Sequence, residues 1–136
     1  MTTIPEKLQS IKEEFSILSD PRDKYVYLVD LAKNSEGLSA ENQCEKNRIH
    51  GCTSQAWVTG EMRQDNFFFK TDSDAMIVKG LLSLIERSFN GHTAKEILAI
   101  DGKDFLESVG LDRAISSQRT NGFSNAINKI QKELLI

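Results

Sequence analysis

Hydrophobic residues recur at helical spacing at both ends of this 136-residue chain, and only one short segment between them has the composition of β-strands. That segment covers Gln55–Arg63, breaks at the turn dipeptide Asp65–Asn66 and resumes with three phenylalanines at 67–69. β-Formers on both sides of a turn dipeptide predict a hairpin, which we expect to form a small antiparallel sheet. The sequence therefore predicts an α+β fold, with helices packed on that sheet, in a single domain spanning residues 1–136.

Two amphipathic helices are predicted before the hairpin. Thr3 and Glu6 have the spacing of a capping box at the start of the first helix. Asp20 is the predicted N-cap of the second helix, with Pro21 at its first position, where a missing N–H costs nothing. The apolar residues at helical spacing are Ile4, Leu8, Ile11, Phe15 and Leu18 in the first helix, and Tyr25, Leu28, Val29 and Ala32 in the second.

The strongest helical pattern follows the hairpin. Asp72–Asp74 offers three capping side chains, and the apolar residues after it predict a central helix that reaches about Phe89. Two short helices are expected at 94–99 and 103–109, closed by Gly110. A last amphipathic helix is expected from Ser116–Ser117 onward.

That last helix contains two residues that its pattern does not explain. Gly122 costs about 1 kcal/mol relative to Ala inside a helix, which indicates that another group packs closely against it. Arg119 lies one turn before Phe123 on an otherwise apolar stripe, and a buried charge is costly unless it is paired. We expect Arg119 to pair with Asp74 or to support the loop that contains Cys52.

Charge and apolar runs exclude several classes of protein. The net charge is −3 and the basic residues are scattered, so the basic stripe needed for nucleic-acid binding is missing. The opening residues have an acid and Pro5 but no apolar run, and no later stretch approaches the roughly 20 apolar residues of a membrane span. We expect a cytoplasmic protein whose two cysteines, Cys44 and Cys52, are reduced.

Cys52 is the residue most suited to chemistry. It follows Gly51 in a polar loop and precedes Thr53 and Ser54, a context typical of a presented side chain. A reactive thiolate is favoured by partial exposure and by nearby cations, for which Arg48, His50 and Arg119 are candidates. Because free cysteines are often inert core residues, the local sequence alone leaves a functional and a structural Cys52 equally open.

Three blocks of the sequence resemble the SufE family. Residues 47–58, NRIHGCTSQAWV, are similar to the signature around that family's acceptor cysteine. Residues 72–81 resemble its second block, and Ser117, Arg119 and Gly122 match its last helix. The resemblance spans nearly the whole chain in order. It implies the two-layer architecture of SufE and IscU-type proteins.

The resemblance also implies an activity and partners. Cys52 would accept persulfide sulfur from a SufS-like cysteine desulfurase, stimulate that enzyme and deliver sulfur to a SufBCD-like scaffold for iron–sulfur cluster assembly. The chain would thus be a sulfurtransferase-type accessory protein without a cofactor of its own, since pyridoxal phosphate belongs to the desulfurase. The residues expected to support the loop or contact the partner are Arg48, His50, Gly51, Ser54, Gln55, Asp74 and Arg119.

Simpler interpretations exist for some of these residues. A carboxylate such as Asp74 in the first turn of a helix is favoured by the helix dipole alone, and we interpret His50 as a local influence only. Trp57 at the start of a strand is typical of a core residue. The family's behaviour implies that a loaded Cys52 retracts under apolar cover, supplied by Trp57 or by the central helix.

Three other functions compete with sulfur transfer. A metal or cluster scaffold could use Cys44, Cys52, His50 and His92, although no Cys-x-x-Cys pair supports it. A hydrolase could use Cys52 as nucleophile and His92 as base. A binding module with an incidental thiol is the third. The sequence leaves homodimerisation open and does not separate the SufE branch from its CsdE-type paralogues.

Overall fold

The computed structural model describes residues 2–135, so Met1 and Ile136, the two ends of the predicted domain, lie outside the described residues. The chain forms helices at both ends and one β-hairpin between them, in the order given next. The elements are α1 (Ile4–Ser16), α2 (Pro21–Asn34), β1 (Ala56–Arg63), β2 (Asn66–Ser73), α3 (Met76–Phe89), α4 (Ala94–Leu98), α5 (Gly102–Ser108) and α6 (Ser117–Lys129), which continues as a wider π-helical turn over Ile130–Leu134.

The first two helices begin as the sequence predicts. Thr3 and Glu6 form the capping box of α1, and the Asp20 side chain accepts a hydrogen bond from the Arg22 amide at the start of α2. The predicted buried face of α2 is only partly right, because Leu28 is buried but Tyr25 is exposed.

The hairpin is antiparallel, with Ala56 opposite Ser73 and Arg63 opposite Asn66. Gln64 and Asp65 form the turn at φ values of 52° and 70°, the left-handed backbone of the two-residue turns that match strand twist. The turn is therefore one residue earlier than predicted. Alternate residues of β2 face the core, so Phe67 and Phe69 are buried while Phe68 packs under the Arg63 guanidinium at the surface.

The predicted capping role of residues 72–74 is wrong. Asp72 and Ser73 belong to β2, and α3 starts at Met76 after Ala75, which makes no side-chain cap. The Asp72 carboxylate instead accepts hydrogen bonds from the Leu38 amide at 2.8 Å and the Gln43 side chain at 3.2 Å, and lies 3.5 Å from Lys79 Nζ. A buried carboxylate needs such partners, so Asp72 fastens the loop after α2 to the hairpin.

The core joins the sheet to the helices through a row of phenylalanines. Neighbouring rings are 5.0–6.4 Å apart between their centroids, within the range of favourable aromatic pairs. The row consists of Phe67 and Phe69 on β2, Phe89 on α3, Phe105 on α5 and Phe123 on α6. This arrangement confirms the predicted α+β fold, with α3 as the central helix between the hairpin and α6.

None of the helices in residues 2–135 is both long enough and apolar enough to cross a membrane.

Candidate functional site

Cys52 lies in a loop that is fastened at its base. The Ile49 amide donates to the Ala56 carbonyl at 2.8 Å, and Arg48 pairs with Trp57 across the same antiparallel bridge. Ile49 is almost completely buried, which fixes one end of the loop in the core. The six residues 50–55 therefore project as a closed loop from the start of β1.

Asp74 fastens the other end of this loop. Its amide donates to the Gln55 carbonyl at 3.1 Å, and its carboxylate accepts from the Gln55 amide at 3.1 Å. The Ser73 hydroxyl donates to the same carbonyl at 2.7 Å. The interpretation of Asp74 as a helix-dipole residue is thus wrong, because Asp74 precedes α3 and its partner is the cysteine loop.

Gly51 turns the loop toward α6. Its φ of +86° lies in the left-handed region that favours glycine, and a Cβ at this position would overlap the Asn125 side-chain amide. Both constraints place Cys52, the next residue, against the same helix. Ser54 is half-buried and Gln55 is exposed, and we find no direct role in the site for the Ser54 side chain.

The Cys52 thiol lies in a narrow apolar crevice between α3 and α6. The Sγ atom is 3.5 Å from the Gly122 carbonyl, a weak hydrogen bond, and a Cβ added to Gly122 would lie only 2.9 Å from the sulfur. This contact confirms the expected close packing at Gly122. The crevice is lined by Cys52, Thr53, Val78, Leu81, Leu82, Gln118, Arg119, Gly122 and Phe123.

Little free space remains beside the sulfur. The cavity is about 10 Å³, close to the smallest volume that holds one water molecule. The apolar cover comes from α3 and Phe123, whereas Trp57 is buried but does not line the crevice. The unloaded thiol is thus covered by the central helix and not by Trp57, while the retraction of a loaded Cys52 stays a prediction.

Burial raises the pKa of the Cys52 thiol, and the positive charge of Arg48 only partly opposes this shift. The expected activation by three cations is thus mostly wrong. His50 is exposed and lies 3.2 Å from Glu45, and the Arg119 guanidinium lies over the Tyr25 ring at 5.9 Å. In this conformation the thiol is protonated at neutral pH, because burial disfavours the thiolate.

The predicted ion pair between Arg119 and Asp74 does not occur: within residues 2–135, no carboxylate oxygen lies within 4.0 Å of the Arg119 side chain. The Arg119 side chain instead lines the crevice that holds Cys52. Its position agrees with the other expectation, that it supports the cysteine loop.

The residues of the metal-scaffold alternative do not converge. Cys44 and His50 are exposed, while His92 is buried and its Nδ1 lies 3.0 Å from Glu96. Across the described part of the chain, no three His, Cys, Asp or Glu side chains are grouped so that they could hold a metal ion. The scaffold alternative therefore gains no support from the geometry.

The hydrolase alternative fails on distance. His92 pairs with Phe67 near the turn of the hairpin, whereas the Cys52 loop leaves from Ala56 at the opposite end. Phe67 is opposite Met62, which lies six positions after Ala56 along β1. At about 3.3 Å per residue, the two ends of the strand are roughly 20 Å apart. His92 cannot act as a base for Cys52 across that separation.

Sequence reasoning missed Asp72 as part of the site's support. Asp72 and Lys79 are oppositely charged residues seven positions apart on adjacent elements, and that spacing was the available signal. The local pattern of three possible caps obscured it. Asp72, near the end of β2, holds the loop after α2, and Asp74, just after β2, holds the cysteine loop.

Comparison with known proteins agrees with this architecture. Residues 9–134 match the family described as "SufE: Fe-S metabolism associated domain". An uncharacterized SufE-like protein of Rhizobium meliloti is 35% identical over 93% of each chain, and one of Synechocystis is 33% identical over 98% of this chain and 83% of its own. SufE-like protein 1 of Arabidopsis thaliana, named chloroplastic/mitochondrial, is 34% identical over 97% of this chain but only 36% of its own.

A solved structure shares the fold. The solution structure of a hypothetical protein from Thermus thermophilus superposes with a TM-score of 0.77 over 94% of this chain and 93% of its own, at 19% identity. The family match over most of the chain, and relatives above 30% identity that it spans almost completely, show the family. The chain belongs to the SufE family, which is associated with iron–sulfur metabolism.

Proposed function

We propose that this protein is a sulfur carrier in which Cys52 accepts sulfur as a persulfide from a cysteine desulfurase. The observation that supports this most directly is a single thiol on a loop fastened at both ends, with its sulfur under apolar cover. A structural core cysteine would not need a dedicated loop. Family membership makes iron–sulfur metabolism the setting of the transfer.

The transfer step is a thiol exchange between two proteins. The Cys52 thiolate attacks the outer sulfur of the persulfide on the desulfurase, and a new S–S bond forms on Cys52. The original S–S bond breaks, and the desulfurase cysteine leaves as a thiolate with the electron pair. The products are a Cys52 persulfide and a desulfurase ready for another turnover. Pyridoxal phosphate acts in the partner and not in this chain.

The crevice suits storage better than attack. A thiol whose pKa is raised by burial is a poor nucleophile, so Cys52 must leave the crevice to become thiolate. Once loaded and returned, the persulfide would be shielded from cytosolic thiols by Leu81, Leu82 and Phe123. With about 10 Å³ free, the crevice must widen slightly to hold the outer sulfur.

The remaining parts of the proposal are the partners and the place of action. Removing sulfur from the desulfurase frees its active-site cysteine, which would stimulate turnover. The loaded carrier would then hand sulfur to an iron–sulfur scaffold protein in the cytoplasm. Both exchanges require that Cys52 be the attacking thiol in the first step and the sulfur donor in the second.

The test combines the purified chain with a cysteine desulfurase, pyridoxal phosphate and cysteine, followed by mass spectrometry of intact protein and peptides. We expect the mass of one added sulfur atom on the Cys52 peptide and none on the Cys44 peptide. Cys44→Ser is the matched control and should carry sulfur normally. If Cys52→Ser stimulated the desulfurase as well as the parent does, the chain would be a binding module and the proposal would be wrong.

A further inference from the structure

A second feature of the cysteine loop is a groove that shares no lining residue with the crevice. The groove has a volume of about 380 Å³ and lies between the loop and the end of α6. Gly51 contributes to its wall, so the residue next to Cys52 faces this groove. The other lining residues used below are Arg48, Asn125, Asn128, Lys129, Lys132 and Glu133.

The groove is positively charged on a chain whose net charge is −3. Lys129 and Glu133 neutralise one another at 3.1 Å, and Lys129 also donates to the Lys46 carbonyl at 3.2 Å. Arg48 and Lys132 are left, and among residues 2–135 neither has a carboxylate oxygen within 4.0 Å. Two unpaired cations beside the reactive loop are therefore available to a ligand.

The chemistry of the lining selects the ligand. The two cations favour carboxylates, and the amide groups of Asn125 and Asn128 can donate to and accept from a peptide backbone. Two cations are too few for a nucleic acid, whose affinity depends on neutralising many phosphates. A wide, open groove at the surface also suits an extended chain segment better than a compact small molecule.

Relying on the proposed function, we infer that this groove receives an acidic segment of the protein that supplies sulfur to Cys52. A segment bound here would contact Gly51 directly and so lie next to the thiol that must emerge. Arg48 and Lys132 would position the donor by charge, which mainly raises the association rate and makes binding sensitive to salt. The apolar crevice, which shares no lining residue with the groove, stays free to hold the sulfur.

The test measures affinity for the desulfurase that loads Cys52, using full-length Cys52→Ser protein so that no transfer occurs. Lys132→Glu is compared with Lys12→Glu, which replaces an exposed lysine of α1 that lies beside Gly110 and lines a pocket sharing no residue with the groove. Both change the charge equally, and Lys12 lies outside the last turn of α1, so the helix dipole adds little to the effect of its replacement. Circular dichroism checks that both variants are folded.

We expect Lys132→Glu to weaken binding about three- to tenfold at low ionic strength, as for loss of one or two exposed ion pairs. The difference should shrink at high salt, where exposed charges are screened. Equal affinities of Lys132→Glu and Lys12→Glu would overturn the groove as the docking site while leaving sulfur transfer intact. Failure of the parent chain to bind any desulfurase would overturn both.

Discussion

Replacing Gly122 by alanine tests how closely α6 holds the Cys52 thiol. The new methyl carbon would lie 2.9 Å from Sγ and 3.4 Å from the Cys52 Cα. Carbon contacts are optimal at about 3.5–4.0 Å, so the sulfur must move by at least roughly 0.6 Å. The helix backbone of α6 cannot yield as easily as a side chain on a loop. We expect the thiol to swing out of the crevice.

The two contributions of Gly122→Ala to the free energy of unfolding nearly cancel, whereas the reactivity of the Cys52 thiol should rise. Alanine in a helix interior gains about 1 kcal/mol over glycine, while exposing the sulfur costs about 0.8 kcal/mol if it is counted as one buried methylene. The free energy of unfolding should therefore change by less than about 0.5 kcal/mol. Because burial is what raises the thiol pKa, release should lower it, and each pKa unit multiplies the thiolate fraction at neutral pH about tenfold.

The assay is the rate of Cys52 alkylation by iodoacetamide at neutral pH, read by mass spectrometry in a Cys44→Ser background. Asn121→Ala is the matched control, since it is an exposed neighbour on α6 that improves helix propensity without facing the crevice. We expect faster alkylation for Gly122→Ala only. A parental rate in Gly122→Ala, or equal acceleration in the control, would refute the reasoning.

Three further predictions concern the cysteine loop, the half-buried Glu86 and the Cys52 persulfide. Asp74→Ala removes the acceptor of the Gln55 amide, so we expect it to lower the free energy of unfolding by about 1 kcal/mol in denaturant titrations and to speed amide exchange in the loop, with Asp74→Asn recovering most of both. Burial raises the pKa of Glu86 in the folded protein above its unfolded value of 4.5, because the protonated form is the one that burial favours. The contribution of this protonated form to the free energy of unfolding is fully present below pH 4.5, and it is lost as pH rises through the higher folded pKa. Glu86→Gln, which still accepts from Thr71, should therefore exceed the parent in Tm by more at about pH 8 than at about pH 4. A persulfide on folded Cys52 should react with a small thiol several-fold more slowly than one on the unfolded chain, and equal rates would count against shelter.

The sequence predicted those parts of the fold that short-range signals determine. The capping box at Thr3 and Glu6 and the Asp20–Pro21 start involve residues within three positions of each other. Their geometry is therefore almost independent of the rest of the chain. The periodicity of α3 is equally local, and its central place in the fold follows from how much of its circumference is apolar.

Residues 72–74 were misassigned because their partners are distant in sequence. Three polar residues before an apolar run look like caps, yet Asp72 binds the Leu38 amide 34 positions earlier and Asp74 binds Gln55 19 positions earlier. A local pattern contains no information about such partners. The hairpin brings Asp74 to Gln55, since Ala56 and Ser73 are opposite one another, whereas Leu38 reaches Asp72 from outside the hairpin.

The state of Cys52 was predicted only in part for the same reason. Gly51 and the polar neighbours of Cys52 correctly indicated a loop, but exposure depends on what covers the loop. That cover comes from α6, where Gly122 lies 70 positions after Cys52 and approaches its sulfur closely. The glycine was recognised as a packing residue, whereas its partner could be identified only from the folded chain.

The hydrogen bond between Ile49 and Ala56 sets the length of a tether. Cys52 follows Ile49 by about three residues, and an extended residue spans at most about 3.3–3.6 Å, so the thiol can travel roughly 10 Å from that anchor without unpairing the strand. A donor whose persulfide lay deeper than this below its own surface would be out of range. If Cys52 accepts sulfur as proposed, the two proteins must therefore meet face to face, and the depth of the donor's entrance must match the short radius of this loop.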